Sequence, residues 1–355
     1  MTAPTLAFFT RLLDDASAGE RYALAAEQIS HAEQHGIGRA WVAQHHFRAA
    51  EGGLPSPLVF LAHVAARTSR IRLGTGVITL TLEDPVRVAE DAVVTDLLAG
   101  GRLDLGLGSG GTPTSFVPFG EDVRDKAETY DRKLRVLLSA LGGRDIGADN
   151  TLYPDAGDLG DRIWQATFSA AGGRRAGSHG HGLLLSRTQP RATDALQAPL
   201  SALQDPIIDA YLDALPTGVP PRITASRTVF VADDRADALR FAQVGLRRAA
   251  EGFRRQGQTI QGDDLDDLII ALDTHLGAPE KVAESLAADA TLSRATEIAF
   301  QVHSVDAPHE YVLRSIELFA QEVAPVLGYA TGSSLTDTLT DSLTDSLTDS
   351  LRENA

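Results

Sequence analysis

The residues able to do chemistry are few. The chain has ten histidines and no cysteine among 355 residues, which excludes thiolate nucleophiles, thiolate metal sites and disulfides. Two of the histidines are adjacent. Trp41 to Phe47 reads WVAQHHF, so Gln44, His45 and His46 directly follow the apolar run Arg39–Ala43. An imidazole at a strand end can act as a general acid or base, or donate to a developing anion. Alternate residues of an extended chain share a face. Trp41, Ala43 and His45 therefore point one way, and Val42, Gln44 and His46 the other. The competing reading is a pair of structural histidines bonded to loop backbone.

Two glycine-rich segments follow apolar runs. Gly106–Gly111, GLGSGG, formally matches the dinucleotide pattern G-x-G-x-x-G. The next residues include Pro113 and Pro118 and cannot open a helix smoothly. We reject the dinucleotide reading, although bare glycines still let a planar ligand approach the backbone. Ser169–Gly173, SAAGG, precedes Arg174 and Arg175. Helix-terminal amides, a hydroxyl and guanidinium charge suit a phosphate; an ordinary strand-to-helix turn with solvated arginines is the alternative. His31 and His35 have i, i+4 spacing, but Glu33 is misplaced for a zinc-protease motif. His179 and His181 fall at the far end of the following helix, and no metal site is expected there.

The elements that must position these residues alternate. Extended runs are expected at 5–10, 39–43, 71–80, 102–108, 163–169, 182–186, 224–232 and 297–303. Helical patterns lie at 22–35, 57–68, 85–98, 122–141, 173–178, up to 215, 235–255 and 309–327, with an irregular helical insert over 257–292. Eight β/α alternations over this length predict a closed (β/α)₈ TIM barrel rather than an open doubly wound sheet. Barrel chemistry sits at the C-terminal ends of strands, where His45, Gly108 and Ser169 fall. One domain is expected over 1–330. Residues 331–355 repeat SLTD and read as a low-complexity, disordered tail.

The net charge is −16. An acidic surface repels nucleic acid and anionic membrane, and neither is an expected partner. The absence of a leader pattern or a long apolar run predicts a cytoplasmic location.

Several segments together resemble the bacterial luciferase-like flavin-dependent monooxygenase family: WVAQHHF, GLPSPLVFLAHVAARTSRIRLGTGVITL, DPVRVAED, GGRLDLGLGSGGTPTSF and the closing APHEYVLRSIELFAQEVAPVL. The likeness spans nearly the whole barrel and is closest to a subgroup of FMN-dependent members. It implies a barrel that binds reduced FMN, supplied by a separate flavin reductase, and a homodimer. It implies dioxygen and a small organic molecule as co-substrates, with oxygen transfer through a flavin hydroperoxide. His45 matches the family's catalytic histidine. Gln44 stands where many members have Glu. Thr75, Gly76 and Val77 match the segment against the isoalloxazine ring. Gly108 and Ser109 match the strand end where luciferase carries a cysteine and a phosphate-binding arginine, both absent here. Ser169, Gly172 and Gly173 match the phosphate loop, with Arg174 or Lys126 replacing the missing charge. Light emission is not implied. Hydride transfer with a deazaflavin, or a non-catalytic flavoprotein, are the rival readings.

Overall fold

The computed structural model describes residues 4–330; the SLTD repeat lies outside the described residues. Ten strands form one sheet: β1 (Thr5–Thr10), β2 (Arg39–Val42), β3 (Arg72–Thr75), β4 (Ile78–Thr79), β5 (Leu103–Gly108), β6 (Ile163–Ala166), β7 (Gly182–Leu185), β8 (Ile223–Val231), β9 (Thr274–Gly277) and β10 (Glu297–Gln301). Every pairing between these strands is parallel. The order β1-β2-β3-β5-β6-β7-β8 closes through β10, which pairs with both β8 and β1. The expected eight-stranded (β/α)₈ barrel is therefore the observed fold. Strands such as β5, LDLGLG, are buried along their whole length, as parallel strands covered on both faces must be.

The helices outside the barrel are α1 (Ala18–Gln34), α2 (Pro57–Ala65), α3 (Pro85–Leu98), α4 (Lys126–Leu141), α5 (Ala170–Ser178), α6 (Leu200–Ala214), α7 (Arg235–Arg255), α8 (Leu265–Ala271), α9 (Pro279–Ala287) and α10 (His309–Leu318). Helix α1 begins four residues before the expected Tyr22. Ser17 and Glu20 form a capping box there, and reciprocal side-chain bonds to the orphan amides fix the start despite a polar first turn. The expected strand 71–80 is broken at Gly76–Val77, whose peptide is cis; β4 resumes against β5. The insert 257–292 is more regular than expected. It contains α8, α9 and β9, which extends the sheet from the distal half of β8.

The barrel floor is charged and buried. Arg39 bonds Asp104 at 2.9 Å and pairs with Glu297, while Arg72 reaches Asp104 at 2.7 Å. Glu297 also accepts from Trp41 Nε1 (3.0 Å) and Thr224 Oγ1 (2.9 Å). Such a network is tolerable only because each charge is paired and bonded. Above it, Trp41 and Trp164 meet edge to face with centroids 5.5 Å apart and carry the next, apolar layer.

Candidate active site

All eight barrel strands contribute to a cavity of about 630 Å³, seven of them at or near their C-terminal ends and β8 through Thr224 and Ser226. Its inner wall is apolar: Phe9, Trp41, Val77, Ala166, Leu184 and Ala299. Gly74 keeps this wall flat, because a Cβ there would fall 2.2 Å from the Trp41 ring. One flank carries small polar and cationic groups, namely Ser109, Lys126, Thr167, Ser169 and Arg175. The mouth is bridged by Glu51, which accepts from Thr112 Oγ1 at 3.1 Å and from Gln256 Nε2 at 3.4 Å.

His45 lines this cavity. Its backbone N–H donates to Leu54 O at 2.9 Å, which anchors the residue just past β2. Nδ1 is buried without a hydrogen-bond partner. Gly52 lies directly against it, since a Cβ on Gly52 would come within 2.5 Å of that nitrogen. The other ring nitrogen, Nε2, is the one left to meet a ligand. Burial, then the Arg11, His46 and Arg187 charges, pushes the His45 pKa down to about 3. The ring is neutral at physiological pH and works as a hydrogen-bonding partner rather than as a standing imidazolium. The adjacent His46 is half-buried and faces Phe119, with ring centroids 4.9 Å apart; the two histidines do have different surroundings.

Gln44 ties the strand ends together. Its Oε1 accepts from the Thr79 amide at 2.7 Å, and its Nε2 donates to Pro55 O (3.0 Å) and Glu83 Oε1 (2.6 Å). A carboxylate could supply the first bond but neither donor bond.

The sequence-derived residues divide in two. His45, Gly76, Val77, Gly108, Ser109 and Ser169 line the cavity. Thr75, Gly172, Gly173 and Arg174 do not. Thr75 is fully buried, and its hydroxyl donates to Gly106 O and accepts from Gly106 N, pinning β3 to β5. The Gly172 amide is taken by Ser169 Oγ at 3.2 Å as a helix cap. Gly173 lets α5 pack on α6, because a Cβ would lie 2.4 Å from Ile207 O. Arg174 is exposed and does not line the cavity. One helical step moves the guanidinium inward: Arg175 lines the cavity, stacks over Tyr130 at 4.6 Å and bonds Gln165 at 3.0 Å.

Arg11, Arg187 and Gln301 also line the cavity and were missed by sequence reasoning. The available signal was position, since each sits at or just past a strand end. A second cavity, about 780 Å³, lies beside the mouth between 189–199 and 257–273. It shares Pro190 and Gln258 with the first but contains none of the sequence-derived site residues. Strand-end convergence favours the first cavity as the reaction site. Among the described residues no three His, Asp or Glu side chains are grouped to hold a metal ion, and no helix is long and apolar enough to cross a membrane.

Residues 5–297 match the family model described as luciferase-like monooxygenase. The chain is similar to 4-hydroxyprotoasukamycin monooxygenase of Streptomyces nodosus subsp. asukaensis, 30% identical, with 82% of this chain and 83% of that one covered. Among solved structures it resembles the oxygenating constituent of 3,6-diketocamphane monooxygenase from Pseudomonas putida, solved in complex with FMN. The TM-score is 0.70 at 17% identity, covering 93% of this chain and 99% of that one. It also resembles the coenzyme F420-dependent tetrahydromethanopterin reductase of Methanopyrus kandleri, with a TM-score of 0.64 at 17% identity, covering 91% of this chain and 99% of that one.

Proposed function

This chain belongs to the luciferase-like monooxygenase family, and from that premise we propose that it is an FMN-dependent monooxygenase acting on a small organic substrate and dioxygen. The observation that carries this reading is the pairing, in one cavity, of an apolar wall with a polar, cationic flank. The wall of Phe9, Trp41, Val77 and Leu184 suits a planar tricyclic ring. The Lys126 ammonium, the hydroxyls of Ser109, Thr167 and Ser169, and the Arg175 guanidinium suit a phosphate. The amides of Ala170 and Ala171 open α5 and have no intrahelical acceptor, which adds anion affinity at that flank. In this reading Gly76, Val77 and Gly108 bound the ring site. Thr75, Gly172 and Gly173 shape its walls from behind.

Reduced FMN, when bound, supplies the electrons that activate dioxygen. The chain's own part is to orient, desolvate and move a proton. Neutral His45 presents Nε2 to the reacting group and holds or delivers one proton there. The bridge from Glu51 to Thr112 and Gln256 limits water at the mouth, which protects a reactive oxygen species from unproductive decay. A separate reductase delivers the reduced flavin, in line with the solved neighbour that is itself an oxygenating constituent. A homodimer through α2 and α3 completes the reading. These helices pack together yet leave Val59, Val94, Leu97 and Leu98 exposed, apolar side chains that a second copy would cover.

Anaerobic titration with reduced FMN and with reduced deazaflavin tests the cofactor. Saturable binding of FMN alone is expected; binding of the deazaflavin alone sinks the assignment in favour of hydride transfer. His45→Ala is expected to retain FMN while coupled oxygenation falls about 100-fold or more, measured as product formed per flavin oxidised. Unchanged coupling in that variant removes His45 from the chemistry.

A further inference from the structure

Two arginines in the cavity have no carboxylate in direct contact, unlike most of the protein's other buried arginines. Arg39 pairs with Asp104 and Glu297, Arg162 with Asp96, Arg191 with Asp273 and Arg227 with Asp289. Arg102, without a carboxylate, is wrapped by the carbonyls of Ala65, Thr68, Ile71 and Ala99. Arg187, at the end of β7, is only 6% exposed and has one bond to the protein, from Nη1 to Thr228 Oγ1 at 3.0 Å. Arg11, at the end of β1, donates to the Glu51 backbone carbonyl. Among the described residues neither guanidinium has a carboxylate within salt-bridge distance, and both line the cavity.

A buried cation with no paired anion is costly unless a ligand brings the anion. The two guanidiniums also oppose each other. Burial, then the Arg11 charge, holds Arg187 well below the ordinary arginine range, with Asp273 offsetting only part of this, and burial, then Arg248, brings Arg11 to about 10, against the smaller opposing pull of Glu51 and Asp306. The chain's net charge of −16 draws no anion to this mouth, so the attraction has to be local. The arginines rise from β1 and β7, whereas the hydroxyl and ammonium groups assigned to the flavin phosphate rise from β5, β6 and the start of α4. Arg11 and Arg187 are therefore not needed for that phosphate. They flank His45, whose own pKa both of them depress.

We propose that Arg11 and Arg187 receive the carboxylate of an organic-acid substrate and so set its reacting carbon against His45 and the ring site. The inference rests on the flavin reading for the identity of the reaction, but not for the anion site itself. Planar guanidiniums match a carboxylate by paired donor bonds, and a neutral His45 adds no competing charge.

The test uses the full-length protein, with and without FMN. Isothermal titration compares octanoate and benzoate with octanamide and benzamide, in wild type, Arg187→Met, Arg187→Lys and Arg11→Met. At least one carboxylate should bind about tenfold tighter than its amide. Arg187→Met and Arg11→Met should each erase that preference with FMN affinity unchanged, and Arg187→Lys, which keeps the charge and tests for misfolding, should retain part of it. Equal binding of acid and amide by wild type overturns the proposal. So does an Arg187→Met variant that keeps the preference, or one that loses FMN while folded, because the guanidinium then serves the flavin. Preference for the acid in a wild type that binds no FMN upholds the anion site and instead removes the flavin reading.

Discussion

At the residue scale, Gln44 shows how one buried side chain sets the local logic of the strand ends. This chain places an amide between an amide N–H, a carbonyl and Glu83. The site is closed to solvent, with Gln44 8% exposed, so each bond matters and none is replaced by water. Gln44→Glu removes both donors and sets two carboxylates about a hydrogen bond apart. One of them must then take a proton or the strand ends must separate. A loss of about 1–3 kcal/mol is expected, measured as a lower urea midpoint with unchanged slope. Adding Glu83→Gln restores a donor between the two side chains and should recover part of the loss. A single variant as stable as wild type would show that Gln44 does not hold these loops. The histidines next to it illustrate what sequence could and could not show. Alternation along an extended run already separated His45 from His46, because that argument needs only backbone geometry. That His45 is neutral was not legible, because it follows first from burial in the folded barrel and then from charges that include Arg11 and Arg187, distant in sequence.

At the element scale, the barrel was legible because parallel strands and their crossover helices leave period and length in the chain. The breaks were less so. Apart from Arg72, the run 71–80 is apolar or small, and nothing in that pattern marks where β3 yields to β4. Gly172 and Gly173 were legible as glycines but not as packing glycines. Only the α5–α6 contact shows that Gly173 faces a carbonyl and that Arg175, not Arg174, turns inward. Gly74 and Gly182 make the same point inside the barrel. A Cβ at Gly74 would meet Trp41 at 2.2 Å, and one at Gly182 would meet Trp164 at 2.1 Å. The two indoles pack against each other, so neither can yield without moving the other. Gly74→Ala should cost about 1–3 kcal/mol and push the Trp41 ring toward the cavity. FMN affinity should fall in parallel, read by flavin absorbance on titration, while a variant with lower stability and unaltered flavin affinity would separate the tryptophan layer from the ring site.

At the scale of the whole molecule, two properties follow from surfaces and from buried protons. Leu97 and Leu98, 60% and 64% exposed on α3, belong to the surface proposed to meet a second copy. Leu97→Glu with Leu98→Glu should shift the mass measured by light scattering from two chains to one, and a wild type that is already monomeric would remove the dimer. Acid stability depends in part on His181. It is 6% exposed, and its Nδ1 lies 2.9 Å from Gln165 Nε2. Gln165 Oε1 is already taken by Arg175 Nε, so Gln165 must present its N–H to His181, and the imidazole must stay neutral to accept it. Burial, then the His179 and Arg222 charges, accordingly brings the His181 pKa to about 3. An unfolded histidine takes its proton near pH 6.5. Between those values the unfolded chain binds the extra proton and the folded chain does not, so stability is full above about 6.5 and is lost as pH falls toward 3. At pH 5 the loss from this one group is about 2 kcal/mol. His181→Asn places an acceptor oxygen where Nδ1 stood and cannot be protonated in this range. Its stability should fall less than that of wild type between pH 7 and pH 5, by about that amount, in denaturant melts at the two pH values. Equal losses in the two proteins would show that His181 is protonated within the folded barrel and that the Arg175–Gln165–His181 chain of bonds is not what holds it.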